Sequence, residues 1–333
     1  MPSSTSHFEP APPGLARMVL GFTLLAWVAC AAYTLWLNPS VHFFRHAARV
    51  KQNYLAGLDA AHTNKVVVYG GSSCAFAING QAMWREEGVP AANLGLAADY
   101  GALFLTRWAM AGARSGDMLI VALEPGLLTR PLEHSSEAVQ ISYALGRPGL
   151  LRDLDGSSVL PLGSQLLRLR PDARHMVTLL GKLAGRRPLF RYRTQDVRPD
   201  GQVTTSVRLP ISGPPERGAE LSPDARRLLE GLRQWSARHG VRVAYSLPRG
   251  YAPEETIQSF RQANAGFLHE IAAYLPVLKD QTLGASSLRD DFADTNWHLT
   301  EAAALARSRE LARQIKSWQI WTPDELAALS ARP

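Results

Sequence analysis

The stretch VVVYGGSSCAFAIN, Val66 to Asn79, decides how the chain is read. Its β-branched run predicts a buried strand, because side chains branched at Cβ suit a pleated, covered surface. Gly70 and Gly71 end that strand, and Ser72 and Ser73 stand at the head of a helical pattern reaching to about Glu87. A strand-to-helix turn of this kind can hold a nucleophile, cradle an anion, or simply make a tight corner.

Moving outward, strand and helix patterns alternate. AANLGL is a short second strand, Tyr100–Ala113 a helix, and MLIVALE (Met118–Glu124) a wholly apolar third strand, as in parallel sheets covered on both faces. Later, Ser222 and Pro223 open a helix to about His239, VRVAYSLP is a fourth strand, Pro253–Tyr274 a helix, and PVLKD a short fifth strand. Thr300 caps a last helix through Trp318, with Glu301 in its first turn. This order predicts an α/β fold, a flavodoxin-like doubly wound parallel sheet. The alternation stops at about 131–220, where Arg, Gly and Pro accumulate around the amphipathic piece SQLLRLRPDARHMVTLLGKLAG. That segment is an insertion: a lid, a substrate platform, a patch on a membrane, or a peripheral helical cap with a solvated basic face.

Residues 18–37, MVLGFTLLAWVACAAYTLWL, carry no charge and would span about 30 Å as a helix, enough to cross a bilayer. No small-x-small cleavage site follows, so the expectation is an uncleaved transmembrane anchor rather than a signal peptide. Residues 1–17 are expected to be disordered, 38–63 a helical connector, and 64–333 the α/β domain. Arg17 precedes the span, while Arg45, Arg49 and Lys51 follow it, a small bias that favours a cytoplasmic domain.

The formal charge of +7 suits a membrane surface or a polyanion, but no basic run interleaves aromatics as nucleic-acid binding requires, so no nucleic-acid partner is expected. The two cysteines, Cys30 and Cys74, provide no disulfide framework, and no ligand cluster with metal spacing occurs. No cofactor is expected either. GGSSCA lacks the GxGxxG fingerprint and a following Lys-Ser/Thr, and no acid sits where a ribose would need one.

A nucleophilic serine needs a histidine base and an acid that orients it. LRDDFADTNWHLT, ahead of the last helix, offers Asp294 and His298, with Asp290 and Asp291 nearby. Asp59/His62 and Asp172/His175 also pair an acid with a histidine, but one precedes the first strand and the other lies in the insertion.

GGSSCAFAI, NLGLAADYG and FADTNWHLTEAA resemble, in order, the first, second and last blocks of the SGNH/GDSL hydrolase superfamily. The likeness runs from Val66 to Gln314 apart from the insertion, and is greatest to membrane-anchored members associated with bacterial exopolysaccharide genes. It implies an SGNH-type three-layer sandwich with Ser72 as nucleophile, or Ser73 if the register slips by one. It further implies His298 as base, Asp294 as its orienting acid, and an oxyanion site near Ser73, Gly95 and Ala98, with Asn93 stabilising the turn. The expected activity is O-acyl transfer or ester hydrolysis, acetyl above all, on a secreted polysaccharide. The expected partners are that glycan and a membrane-bound acyl donor protein. The likeness places the domain in the periplasm, on the inner membrane, against the charge bias. Two departures stand out: Asp294 precedes His298 by four residues where three is usual, and Glu124-Pro125-Gly126 stands where many members carry an oxyanion asparagine. The latter keeps open a non-catalytic scaffold or glycan-binding part of a synthesis and export complex.

Overall fold

The computed structural model describes residues 13–62, 64–154, 159–171, 173–211 and 220–331. Helix α1 (Pro13–Ala32) continues through a π-helical turn, Tyr33–Leu37, and the whole is apolar enough over Gly14–Leu37 to cross a membrane. Residues 13–17 are therefore helical rather than disordered, while the expectation for 1–12 lies outside the described residues. Asn38 then accepts from the Ser40 amide and Pro39 opens α2 (Pro39–Ala61), which turns the chain out of the span without orphaning the first amides.

Strand β1 (Val66–Gly70) leads into α3 (Ser72–Ala77) and α4 (Gly80–Glu87), then β2 (Ala91–Asn93), α5 (Gly101–Met110) and β3 (Met118–Ala122). The insertion contributes α6 (Ser136–Ala144), α7 (Leu162–Arg168) and α8 (Ala173–Ala184). After it come α9 (Pro223–His239), β4 (Arg242–Tyr245), β5 (Gly250–Tyr251), α10 (Ile257–Ala272), β6 (Ala285–Ser286), α11 (Glu301–Ser317) and α12 (Pro323–Ser330).

The main sheet has four parallel strands in the order β2-β1-β3-β4. Alternation along each strand divides the core. Val67, Tyr69, Leu119, Val121, Val243 and Tyr245 meet residues of α2, α5, α6, α9 and α10, while Val66, Val68, Met118, Ile120 and Ala244 meet α3, α4 and α11. Burying each large apolar side chain stabilises the fold by about 1.5–3 kcal/mol, which is why every position of β1 and β3 is apolar or glycine.

Three expectations change in detail. PVLKD forms no strand; Val277 makes one parallel bridge to Tyr245, and Leu278 one antiparallel bridge to Ile320. The insertion is not wholly peripheral, because α6 buries Ala138, Val139 and Ile141 in the larger core. The pair β5/β6 and helix α12 were not anticipated, although Thr322-Pro323-Asp324-Glu325 is a readable capping box with proline at the helix start.

Candidate functional site

Four loops leave the carboxyl ends of the parallel strands, where such sheets build their sites. At Gly70, the end of β1, the backbone passes so close to the neighbouring strand that only glycine fits, while Gly71 leaves room for the Glu124 carboxylate. A Cβ on Gly70 would lie 1.9 Å from the Ala122 carbonyl oxygen, and one on Gly71 2.4 Å from Glu124 Oε2. Gly71 caps α3, and Ser72 is its first residue. Ser72 is half-buried and lines a cleft of about 530 Å³ with Ala98, Glu124, Arg130, Asn296 and Trp297. Ser73 is buried, 1% exposed, so of the two serines Ser72 alone meets this cleft.

Asp294 and His298 come from a short doubled-back loop. Phe292 bridges Leu299, the Ala293 amide donates to the His298 carbonyl at 2.8 Å, and the Thr295 hydroxyl accepts the amides of Trp297 and His298. That fold brings Asp294 Oδ1 to 2.9 Å from His298 Nδ1, so the four-residue separation is what this loop geometry requires. The imidazole stacks on Phe76, 4.0 Å between ring centroids and 8° from parallel. Phe76 lies one turn along α3 from Ser72, and His298's neighbours Asn296 and Trp297 line the Ser72 cleft. Serine and histidine thus sit at the same corner of the sheet, although no hydrogen bond joins them among the described residues.

The second oxygen of Asp294 accepts from Arg191 Nη1 and from the Tyr192 hydroxyl, both at 2.7 Å. Burial alone would raise the Asp294 carboxyl. The hydrogen bonds from His298, Arg191 and Tyr192, with the imidazole's charge, overcome that and hold it well below the usual carboxylate range. Tyr192 also stands 3.3 Å from His298 Nδ1. These insertion residues were missed by sequence reasoning, and nothing in FRYR (Phe190–Arg193) announces their role.

Of the three positions expected near the oxyanion, Ser73 and Gly95 have amides that already have acceptors. The Ser73 amide donates to Glu124 Oε1 at 2.9 Å, the Gly71 amide to Oε2 at 3.1 Å, and the Gly95 amide to Asn93 Oδ1 at 2.9 Å. Ser73 and Gly95 are therefore engaged inside the fold. Gly95 is needed for contact instead, since a Cβ there would lie 2.5 Å from the Ala75 nitrogen. The amides of Ser72 and Ala98, both at the cleft, make no hydrogen bond among the described residues. Glu124 is enclosed, and burial raises its pKa against the opposing bonds from Ser73 and Gly71.

Asn93 does stabilise the turn. Its amide nitrogen donates to the carbonyls of Cys74, Ala75 and Ile78, and its oxygen accepts from Lys51 Nζ at 3.3 Å. Lys51, on α2, also donates to the carbonyls of Asn93 and Gly201, tying the connector to the turn and to the insertion. Burial lowers the Lys51 ammonium to about 8 despite the opposing influence of Cys74 and Asp200. Asp59 is occupied by Lys65 and Arg114, and His62 meets Trp84 edge-on, so this pair is structural. Asp172 and the His175 side chain lie outside the described residues. Comparison with protein-family models, curated proteins and solved structures finds no match.

Proposed function

We propose that the chain is a membrane-anchored serine acyltransferase or esterase of SGNH type, acting on a secreted bacterial polysaccharide from the periplasmic face of the inner membrane. The observation that carries the reading is the Asp294–His298 pair, held at 2.9 Å on the face of α3 whose first residue is the cleft-facing Ser72. The strand order β2-β1-β3-β4 supports the flavodoxin-like sandwich, and the apolar helix supports the anchor. Trp297, Asn296, Asp99 and Glu133 around the cleft offer an aromatic surface and polar groups of the kind sugars use.

In this mechanism Asp294 holds the proton of His298 on Nδ1, leaving Nε2 free to take the Ser72 hydroxyl proton. The hydroxyl oxygen attacks the acyl carbonyl, and the developing oxyanion is met by the amides of Ser72 and Ala98. His298 returns its proton to the leaving alcohol, and the acyl group then passes to a sugar hydroxyl or to water. Serine and histidine close on each other when substrate binds, since such hydrogen bonds are commonly loose without it.

A second reading, a non-catalytic glycan-binding part of an export complex, is favoured by one observation: Glu124 occupies the amides of Gly71 and Ser73. A fluorophosphonate probe separates the two. The catalytic reading expects covalent labelling at Ser72, abolished in Ser72→Ala together with glycan acylation. An unlabelled wild-type chain, or full acylation by the variant in cells, sinks it.

A further inference from the structure

Among the described residues outside the apolar span, the exposed large apolar side chains gather on helices α7 and α8. Leu162, Leu166 and Leu167 of α7 and Val177, Leu180 and Leu183 of α8 are between 37% and 70% exposed. On α8 this is an ordered stripe. Met176, Val177, Leu180 and Leu183 recur at helical spacing on one side, while Thr178, Gly181 and Lys182 fall on the other. An exposed apolar stripe of this kind marks an interaction site.

Its position beside α1 identifies the occupant. From Leu15 to Val28, α1 exposes its large apolar residues on all sides, as a helix made for lipid does. Trp27 lies within that stretch, and its indole N–H donates to the Leu166 carbonyl at 3.0 Å. Thus α7 touches α1 where α1 is otherwise bare, and a bilayer that receives α1 also meets α7. The local charge agrees. Between Leu162 and Arg193 stand eight Arg and Lys residues against the single acid Asp172, a balance that suits anionic headgroups.

We propose that α7 and α8 form a membrane-seated element, their leucines and Val177 in the hydrocarbon of the leaflet around the second half of α1, and the exposed Arg186 and Arg187 that follow α8 at anionic lipid headgroups. The chain leaving α8 runs straight to Arg191 and Tyr192 on Asp294, so the candidate site is built directly onto this element. The proposal stands on the apolar surface and the Trp27 contact, independently of any catalytic reading.

The test uses the full chain in nanodiscs of mixed zwitterionic and anionic lipid, with Cys30 and Cys74 replaced by alanine. An environment-sensitive fluorophore is attached at Leu180→Cys or Val177→Cys, and at Arg233→Cys on the exposed face of α9 as control. The expected result is blue-shifted emission at both α8 positions, quenched by lipids bearing a nitroxide on the acyl chain, with the control water-like and unquenched. Water-like emission at both α8 positions overturns the proposal. So does a blue shift that nitroxide lipid fails to quench, which would mean that a second copy or another protein covers the stripe.

Discussion

Asp294→Asn keeps the size of the side chain, removes its charge and turns one acceptor oxygen into a donor, which makes it the sharpest probe of the candidate site. Asp294 accepts three hydrogen bonds, from Arg191, Tyr192 and His298. Arg191 is 45% exposed, so its ion pair is screened by solvent and contributes at most about 1 kcal/mol. Turning the acceptor of the Tyr192 bond from charged to neutral, and replacing the charged His298 bond by a neutral one of opposite direction, costs about 1 kcal/mol each. Together these give a loss of about 3 kcal/mol in unfolding stability. The chemical effect is larger. The asparagine oxygen stays with Arg191 and Tyr192, so its NH₂ faces His298 Nδ1 and drives the imidazole proton to Nε2. In that tautomer the base can no longer accept from serine, and a rate loss on the order of 10⁴ follows, as in other triads with the wrong tautomer. The assay is the fluorophosphonate labelling rate of detergent-solubilised protein, with thermal and urea unfolding run alongside. The sign of the pH dependence is also fixed. The folded carboxyl lies below its unfolded value of about 3.9, so its contribution is complete above that pH and is lost as pH falls toward the depressed folded value. The stability gap between wild type and variant should therefore be constant near neutrality and narrow in strong acid. Labelling at the wild-type rate, or a gap that does not narrow in acid, would refute the assignment of Asp294 as orienting acid.

Two further substitutions test the supports of the site. Tyr192→Phe removes the hydroxyl donor at 2.7 Å but keeps a ring among Phe43, Phe76 and Phe190, so about 1.5–3 kcal/mol of stability should be lost in urea unfolding. With one donor fewer, the acid-side loss of stability should move to higher pH, a shift that mere loosening of the insertion would not give. Lys51→Met tests the buried ammonium. Its folded pKa of about 8 lies below the unfolded value of about 10.4, so the unfolded chain binds more protons between them and wild-type stability should rise with pH across that window. The rise, on the order of 3 kcal/mol, should be absent from the methionine variant in urea titrations at the two ends.

The sheet was legible because its strands need no partner information to be read. Continuous apolar runs such as Val66–Gly70 and Met118–Ala122 are buried on both faces, and Ser222 and Thr300 place their helices by capping chemistry that is entirely local. Asp294 and His298 could be paired for the same reason, since one loop supplies both. What escaped is held by long-range contact. Tyr192 reaches Asp294 across 102 residues and Lys51 reaches Gly201 across 150, and neither carries a local signature. Helix α6 fell within the insertion, whose place was left open because no strand flanks it, although its buried face packs against α2. That the Ser73 and Gly95 amides are engaged could not be read, because a backbone amide in a glycine-rich turn looks free until the acceptor opposite it is known.

That acceptor, Glu124, also accounts for the glycine ahead of Ser72. In sequence, glycine stands at 71, and glutamate stands at 124 where many members of the resembling superfamily carry an asparagine. In space the two positions share one volume, since a Cβ at 71 would fall 2.4 Å from the Glu124 carboxylate. The carboxylate reaches that space from the loop after β3 and accepts the amides on either side of Ser72, at residues 71 and 73. A side chain at 71 would therefore displace the Glu124 carboxylate from those two amides, and the glycine leaves it room to bind them. The consequence falls on the serine. With its neighbours' amides bound to Glu124 and Asn93 ordering the end of α3 from the opposite side, the turn is fixed by side chains behind it. Ser72 is then held facing the cleft by contacts that the cleft itself does not supply.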